Sequence, residues 1–562
     1  MATLSRRTVI ILLAALVLLS VAIRYPLVDH ERNQADSYFI HLLSQSIVDN
    51  GFAKWTFHPL SYLGYYPVSY PSGVPFLMAE VSTLTGLNME ASVLLVDCIL
   101  AIVFAFGVFG LARQFLGRPE YVLLAALFAA LGPRFVDTSY WDASARGLIV
   151  VLTILVVFTA FRAAAAGQKR LFLIAFLLGI GCFMTHHMAV LLVVFGLGYL
   201  MASFQTNYLL KRLRPLKRGV LAASTLLLAL VAVLLGLWYF QYFEYLGFNE
   251  LRSDALFDVN PPELSVVLNF AASYTSQIGF ILLFAFLGIP SLFRKTYLRV
   301  ENLFLLTMPI AFVPLLASSL YVSMLLTPFV AILGTAWLAK LARSSRRKLG
   351  VAFVIVLMIA SSIALPIWST QRWNRGTYFS GETVEVSDHI FSDAIYLRSQ
   401  IGGAPVITND HATMFQLAAI SDSKFLEGGL LMALSGDVRY DDIQKNIRRS
   451  EARFPRNLYL WFEYNRHPNV EENVLGLMLV GVRFVDGSLS SYNETEYFSG
   501  HSKIVVAVDN AWPSSYVGAY SIHSSVFMIE VQRALTMSNK DFSSYKEYQS
   551  EGLTLYIVQL PL

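Results

Sequence analysis

Long apolar runs alternate with short polar turns over the first two thirds of the chain. They fall near residues 8–25, 91–112, 120–135, 146–165, 170–185, 187–204, 219–240, 265–292, 301–317, 319–339 and 349–368. A helix needs about 20 apolar residues to cross a bilayer, so the pattern predicts eleven spans. Between the first two runs lie two shorter stretches, one leading from Ile40 to Asp49-Asn50-Gly51 and one over 74–87. Their apolar spacing predicts two helices that lie along the membrane surface, joined by the Tyr-Pro-rich turn Tyr65 to Gly73. After residue 370 the period changes. Alternating stretches at 404–408, 479–485, 502–508 and 553–558 read as strands, and 387–401 and 411–420 read as helices. The expected fold is a polytopic α-helical membrane domain over residues 1–369 followed by a mixed α/β domain over 370–562, large enough for a core of its own.

Composition agrees with this class. Of 562 residues, 56% are hydrophobic and 14% charged, which excludes an ordinary soluble globule. Cys98 and Cys182 both fall inside apolar runs, so neither a disulfide framework nor a cysteine zinc site is expected outside the membrane. Arg6-Arg7 precedes the first run, but no small-residue cleavage site follows, and the run is read as an uncleaved first span.

Charge then sets orientation. Residues 1–369 hold 26 basic and 16 acidic residues, whereas 370–562 hold 16 basic and 22 acidic. With the N-terminus in the cytoplasm, 20 of those 26 basic residues fall on the cytoplasmic side, against Glu120 and Glu301 alone among the acids. An odd number of spans places the 370–562 domain on the extracytoplasmic side. The basic residues sit at membrane edges, a distribution that argues against nucleic-acid binding.

Three of the extracytoplasmic loops carry acids. The first offers Asp36, the second Asp137 and Asp142 in Tyr140-Trp141-Asp142-Ala143-Ser144, and a later one Glu244, Glu250, Asp254, Asp258 and Glu263. Oxygen ligands converging from separate loops suit a hard divalent ion such as Mg²⁺ or Mn²⁺, which can neutralise a phosphate leaving group. External loops are also commonly acidic for no catalytic reason. His186 and His187 emerge at the end of the fifth run; neighbours on a helix point about 100° apart and chelate poorly, so their expected use is contact with phosphate or acid/base work, or anchoring at the interface. Arg146 is a candidate for a lipid phosphate or for an ion pair with Asp142. Asn493-Glu494-Thr495 is an N-glycosylation sequon.

The order span, Asp36, surface helix ending Asp49-Asn50-Gly51-Phe52, Tyr-Pro-rich turn, second helix, span resembles the module of GT-C superfamily glycosyltransferases, and most of all the catalytic subunit of oligosaccharyltransferase. The resemblance implies that Asp36 binds metal and sits at the acceptor, and that Asp142 is the first acid of the second-loop pair, with Ser144 where the family has its second. For the family's third acid it offers Glu263 and Asp258. In the C-terminal domain Val406-Ile407-Thr408-Asn409-Asp410-His411-Ala412 stands where the family has Trp-Trp-Asp-Tyr-Gly, keeping the acid and lacking both tryptophans. Asp410 is thereby an acceptor-binding candidate, and Trp461-Phe462-Glu463-Tyr464-Asn465 is a second near-match further along.

The implied activity is transfer of a sugar or oligosaccharide from a polyprenyl-phosphate carrier to an acceptor at the extracytoplasmic face, with a divalent metal as cofactor. Oligosaccharyltransferase proper, acting on a protein asparagine, is an alternative that the missing tryptophans disfavour. A transporter or a non-catalytic scaffold for lipid-linked glycans is the competing class; transporters commonly show internal repeats, and none is found.

Overall fold

The computed structural model describes residues 4–26, 30–31, 37–53, 56–57, 65–66, 71–209, scattered positions from 217 to 231, 262–289, 299–312, 319–344, 348–374, 386, 388–401, 406–408, 411–421, 482–485, 488–491, 503–509, 546–549 and 553–559. In chain order the helices are α1 (Arg6–Ala22), α2 (Ser37–Asn50), α3 (Gly73–Thr85), α4 (Met89–Phe115), α5 (Pro119–Ala130), α6 (Pro133–Asp137), α7 (Ala145–Ala166), α8 (Lys169–Thr185) and α9 (Leu192–Phe204). Further helices cover Pro262–Ile278, Ile281–Gly288, Val300–Phe312, Ser319–Ser344, Lys348–Asn374, Asp388–Ile401 and His411–Ile420. The chain divides into two compact units. One holds Met1–Leu27, Leu95–Trp141 and Ala145–Trp373; the other holds Val28–Leu94, Asp142–Ser144 and Asn374–Leu562.

The first unit is helical. Among the described residues five helices are long and apolar enough to cross a membrane: 89–115, 145–166, 188–208, 322–343 and 349–368. A bent pair, 271–278 with 281–289, makes a sixth if it counts as one span. The protein is thus a multi-pass membrane protein. Helices α1 and α8, at 17 residues each, and the apolar helices 119–130 and 300–312 are shorter. The run predicted over 265–292 is not one straight helix. Gly279 takes φ +99, where an L side chain is strained, and the two halves bend by 108° there. The predicted run at 219–240 lies largely outside the described residues.

Close approach at small residues holds this unit together, as it must where lipid removes most of the hydrophobic drive between helices. A Cβ on Gly288 would stand 2.5 Å from the Leu333 carbonyl oxygen, and one on Gly334 2.6 Å from Ile281 Cδ1. One on Gly198 would meet Met308 Sδ at 2.9 Å, and the Thr307 hydroxyl donates to the Gly198 carbonyl at 3.2 Å. Outward on α8, Phe172, Leu173, Phe176, Leu177 and Ile180 are exposed, the face such a helix turns to lipid.

The second unit mixes helices and strands. Helices α2 and α3 occupy the two stretches where the spacing predicts short helices, and they pack on each other. Each ends at a left-handed glycine: Gly51, at φ 73, donates to Ile47 O, and Gly86, at φ 72, donates to Ser82 O, both at 2.8 Å. Four strands form one sheet in the order Val406–Thr408, Lys503–Asp509, Leu553–Gln559, Lys546–Gln549. The first pair is parallel and the other two are antiparallel. Val505, Val506, Ala507 and Val508 are all buried. Since successive strand residues face opposite ways, the sheet is covered on both faces at this strand. Helix His411–Ile420 packs against the strand 406–408, against helix Asp388–Ile401 and against α2.

Candidate functional site

In the second unit α2 gathers a buried polar cluster. The helix starts at Ser37, and its residues Ser37, Tyr38 and His41 are all buried. Glu31 has no exposed surface. Its Oε1 accepts from the Ser37 hydroxyl at 2.6 Å and its Oε2 lies 2.6 Å from His41 Nδ1. The Tyr38 hydroxyl donates to the Glu31 carbonyl at 3.0 Å, and the Glu31 amide donates to Glu90 Oε1 at 2.8 Å. Burial, then the charges of Glu31 and Glu90, hold the Tyr38 phenol well above its ordinary range, so it stays a neutral donor. His30 lies 3.5 Å from Glu90 and stacks on Phe391 at 3.7 Å between ring centroids.

The Ser37 oxygen also accepts from the Ala143 amide at 2.8 Å. Ala143 follows Asp142, and Ser37 follows Asp36, so one hydroxyl joins the chain beside the two acids singled out from the sequence, 106 residues apart. Asp142 itself is fully buried, and its carbonyl accepts from the Ser144 amide at 2.6 Å. Ser144, two residues on, is buried as well. The residue before this turn, Trp141, has φ 51. A bulky side chain in the left-handed region costs about 1–2 kcal/mol and such strain gathers at functional turns.

The first unit carries the chain leading into that turn. Arg24, just past α1 and without exposed surface, donates from Nε to Ser139 Oγ at 2.8 Å and from Nη1 to Ser20 O and Oγ at 2.8 and 3.1 Å. Its guanidinium stands 4.8 Å over the Phe135 ring, near the charge of Asp97. Arg134 pairs with Asp137 at 2.7 Å, both buried. Gly147, on the first turn of α7, would bring a Cβ to 3.0 Å from the Thr138 carbonyl, so α7 starts hard against the second loop. Arg146 occupies the same turn, half-buried. His186 is buried, and its Nδ1 accepts from the Met188 amide at 3.0 Å, which caps the short helix His187–Leu191.

Of the sequence candidates, Asp142, Arg146 and His186 thus have described side chains. Glu263 and His187 are placed in helices, with side chains outside the described residues, while Asp36, Asp258, Asp410, Trp461-Asn465 and Asn493 lie outside them altogether. Among the described residues no three His, Cys, Asp or Glu side chains converge as a metal group would require. In the sequence Glu31 is one loop acid among several, and nothing there singles out Ser37, His41, Tyr38 or Arg24. An acid followed by a helix start within six residues is a faint signal, and the partner of Arg24 is 115 residues away.

A family model described as dolichyl-phosphate-mannose-protein mannosyltransferase matches residues 69–238. Among solved structures the chain is similar to an oligosaccharyltransferase of Archaeoglobus fulgidus tethered to an acceptor peptide containing an NVT sequon. The TM-score is 0.54 at 10% identity, covering 99% of this chain and 89% of that one. It is similar also to the Archaeoglobus fulgidus enzyme in complex with zinc and sulfate, with a TM-score of 0.52, 12% identity and coverage of 97% of this chain and 72% of that one. A third likeness is to the archaeal oligosaccharyltransferase from Archaeoglobus fulgidus in complex with an inhibitory peptide and a dolichol-phosphate, with a TM-score of 0.51, 11% identity and coverage of 99% and 75%. No curated protein sequence matches the chain. The chain shares its fold with these archaeal enzymes and carries a partial match to a glycosyltransferase family model.

Proposed function

We propose that this protein takes a sugar or oligosaccharide from a polyprenyl-phosphate carrier and passes it to an acceptor at the extracytoplasmic face. The observation that carries this reading is the bond from the Ala143 amide to Ser37 Oγ, 2.8 Å long, which supports a pairing of Asp36 and Asp142 at one site. In this reading Asp36 orients the acceptor and takes its proton as the new bond forms. Asp142 and Glu263 complete a carboxylate donor set whose chemistry fits Mg²⁺ or Mn²⁺. When bound, such an ion would offset charge developing on the departing phosphate. Arg146, His186 and His187 are assigned to the donor phosphate. Asp410, which precedes in sequence the helix His411–Ile420 that packs on α2, is assigned to the acceptor. The zinc and sulfate complex and the dolichol-phosphate complex of the Archaeoglobus fulgidus enzyme support a metal and a lipid-phosphate donor here. Eleven spans, a cytoplasmic N-terminus and an extracytoplasmic α/β domain over 370–562 complete the reading.

The test is loss of label from a panel of radiolabelled polyprenyl-linked sugars, with purified protein in lipid and Mn²⁺ or Mg²⁺ present. Asp36→Asn should lower turnover by about 10²–10⁴-fold, the usual worth of a positioned base. Chelator should stop wild-type turnover and added Mn²⁺ or Mg²⁺ restore it. Equal rates in wild type and Asp36→Asn would remove Asp36 from the chemistry. No turnover with any donor, in folded protein, would return the scaffold and transporter readings.

A further inference from the structure

We infer that Glu31 is a positioning residue: acting through Ser37, it holds the backbone that follows Asp142 in place. Glu31 makes four hydrogen bonds, through both carboxylate oxygens, its amide and its carbonyl, and has no exposed surface. It is therefore a fixed point. The Ser37 hydroxyl has one proton, and the 2.6 Å bond to Glu31 commits it. Its lone pairs then face the Ala143 amide, and donating to a carboxylate makes that oxygen a stronger acceptor. Glu31, Ser37 and Ala143 thus form one directed chain of hydrogen bonds into the turn that carries Asp142.

Nucleophilic chemistry is a poor account of the same three side chains. An activated serine has its base next to the hydroxyl, with the carboxylate behind the base. Here the Glu31 carboxylate accepts from the Ser37 hydroxyl through Oε1 and meets His41 Nδ1 through Oε2, so the carboxylate, and not the imidazole, is the hydroxyl's acceptor. His41 instead closes the second carboxylate oxygen and keeps Glu31 from turning.

The consequence for turnover rests on the glycosyl-transfer reading above, whereas the positioning itself does not. The experiment therefore reads both. Hydrogen exchange is followed by mass spectrometry on the full chain in lipid nanodiscs, in peptides covering 140–146 and 503–509, beside turnover of the polyprenyl-linked sugar panel. In Ser37→Ala and Glu31→Gln the 140–146 peptide should exchange about tenfold faster, as expected for one lost buried hydrogen bond, with 503–509 unchanged. The turnover number should fall about 10- to 100-fold while the donor KM holds, because a displaced catalytic group costs rate more than binding. Ser37→Thr, which keeps the hydroxyl, should restore both. Slow exchange at 140–146 in Ser37→Ala overturns the inference, as does faster exchange with an unchanged turnover number, or loosening that spreads to 503–509. A wild type inactive on every donor removes the glycosyl-transfer reading alone, and the exchange data still decide the positioning.

Discussion

Arg24 shows how much one side chain can carry in this protein. It is fully buried, bonded to Ser20 and Ser139, laid over Phe135 and near the buried Asp97. A planar guanidinium can serve both serines at once; an ammonium is a point charge and cannot. Arg24→Met should cost about 3–5 kcal/mol, because it takes a positive charge from beside a buried acid as well as removing the bonds. Arg24→Lys should recover only part of that. Thermal denaturation in detergent, with the folded yield after purification, checks both. An unchanged melting temperature in Arg24→Met would mean that the cluster is decorative. Neither this residue nor Glu31 stands out in the sequence, where one closes an apolar run and the other is an acid among loop acids. Their meaning comes from Ser139 and Ala143, far along the chain.

At the scale of elements, the apolar pattern foretells helices well and their joints poorly. Among the described residues, helix falls in all the predicted runs, with 219–240 described only in part, but the run over 265–292 breaks at Gly279, because a single glycine within a long apolar stretch does not reveal its φ. The same holds for contact. Gly288 and Gly334 lie in close helix approaches, while a Cβ on Gly179 or Gly196 would meet nothing within 4 Å. Gly288→Ala should therefore destabilise by about 1–3 kcal/mol through overpacking against the Leu333 carbonyl. Gly179→Ala in α8 should be neutral or stabilise by about 0.5–1 kcal/mol, since alanine is the better helix former. The two variants compared in one melting series make the contrast the measurement. Equal effects would contradict the packing.

The whole molecule raises the question of sidedness. The proposed topology puts the basic turn ahead of residue 348 in the cytoplasm and the 370–562 domain outside. In a background with Cys98 and Cys182 replaced by alanine, Ser344→Cys should therefore react only with a thiol reagent that enters the cell, whereas Ser550→Cys should react in intact cells with one that does not. Labelling of both positions from the same side would show that the run 349–368 between them does not cross. The mixing of segments in the second unit belongs to this scale too. Residues 28–94, 142–144 and 374–562 share one unit, although the hydropathy pattern reads the first two as loops of the membrane domain. Apolar spacing in 28–94 predicts its helices but not the unit they join, because only packing and hydrogen bonds assign that.

By itself the sequence determined the membrane class, the succession of helices and the family resemblance, since a bilayer imposes length and apolarity on every span and those are local properties. It also brought Asp36 and Asp142 forward as candidates by residue type and place. Only the tertiary structure decided that Ser37 meets Ala143, that Glu31 stands behind that bond, and that the helix His411–Ile420 packs on α2. Each joins residues far apart in the chain through one hydroxyl or one helix face, and such a meeting depends on how the intervening elements pack.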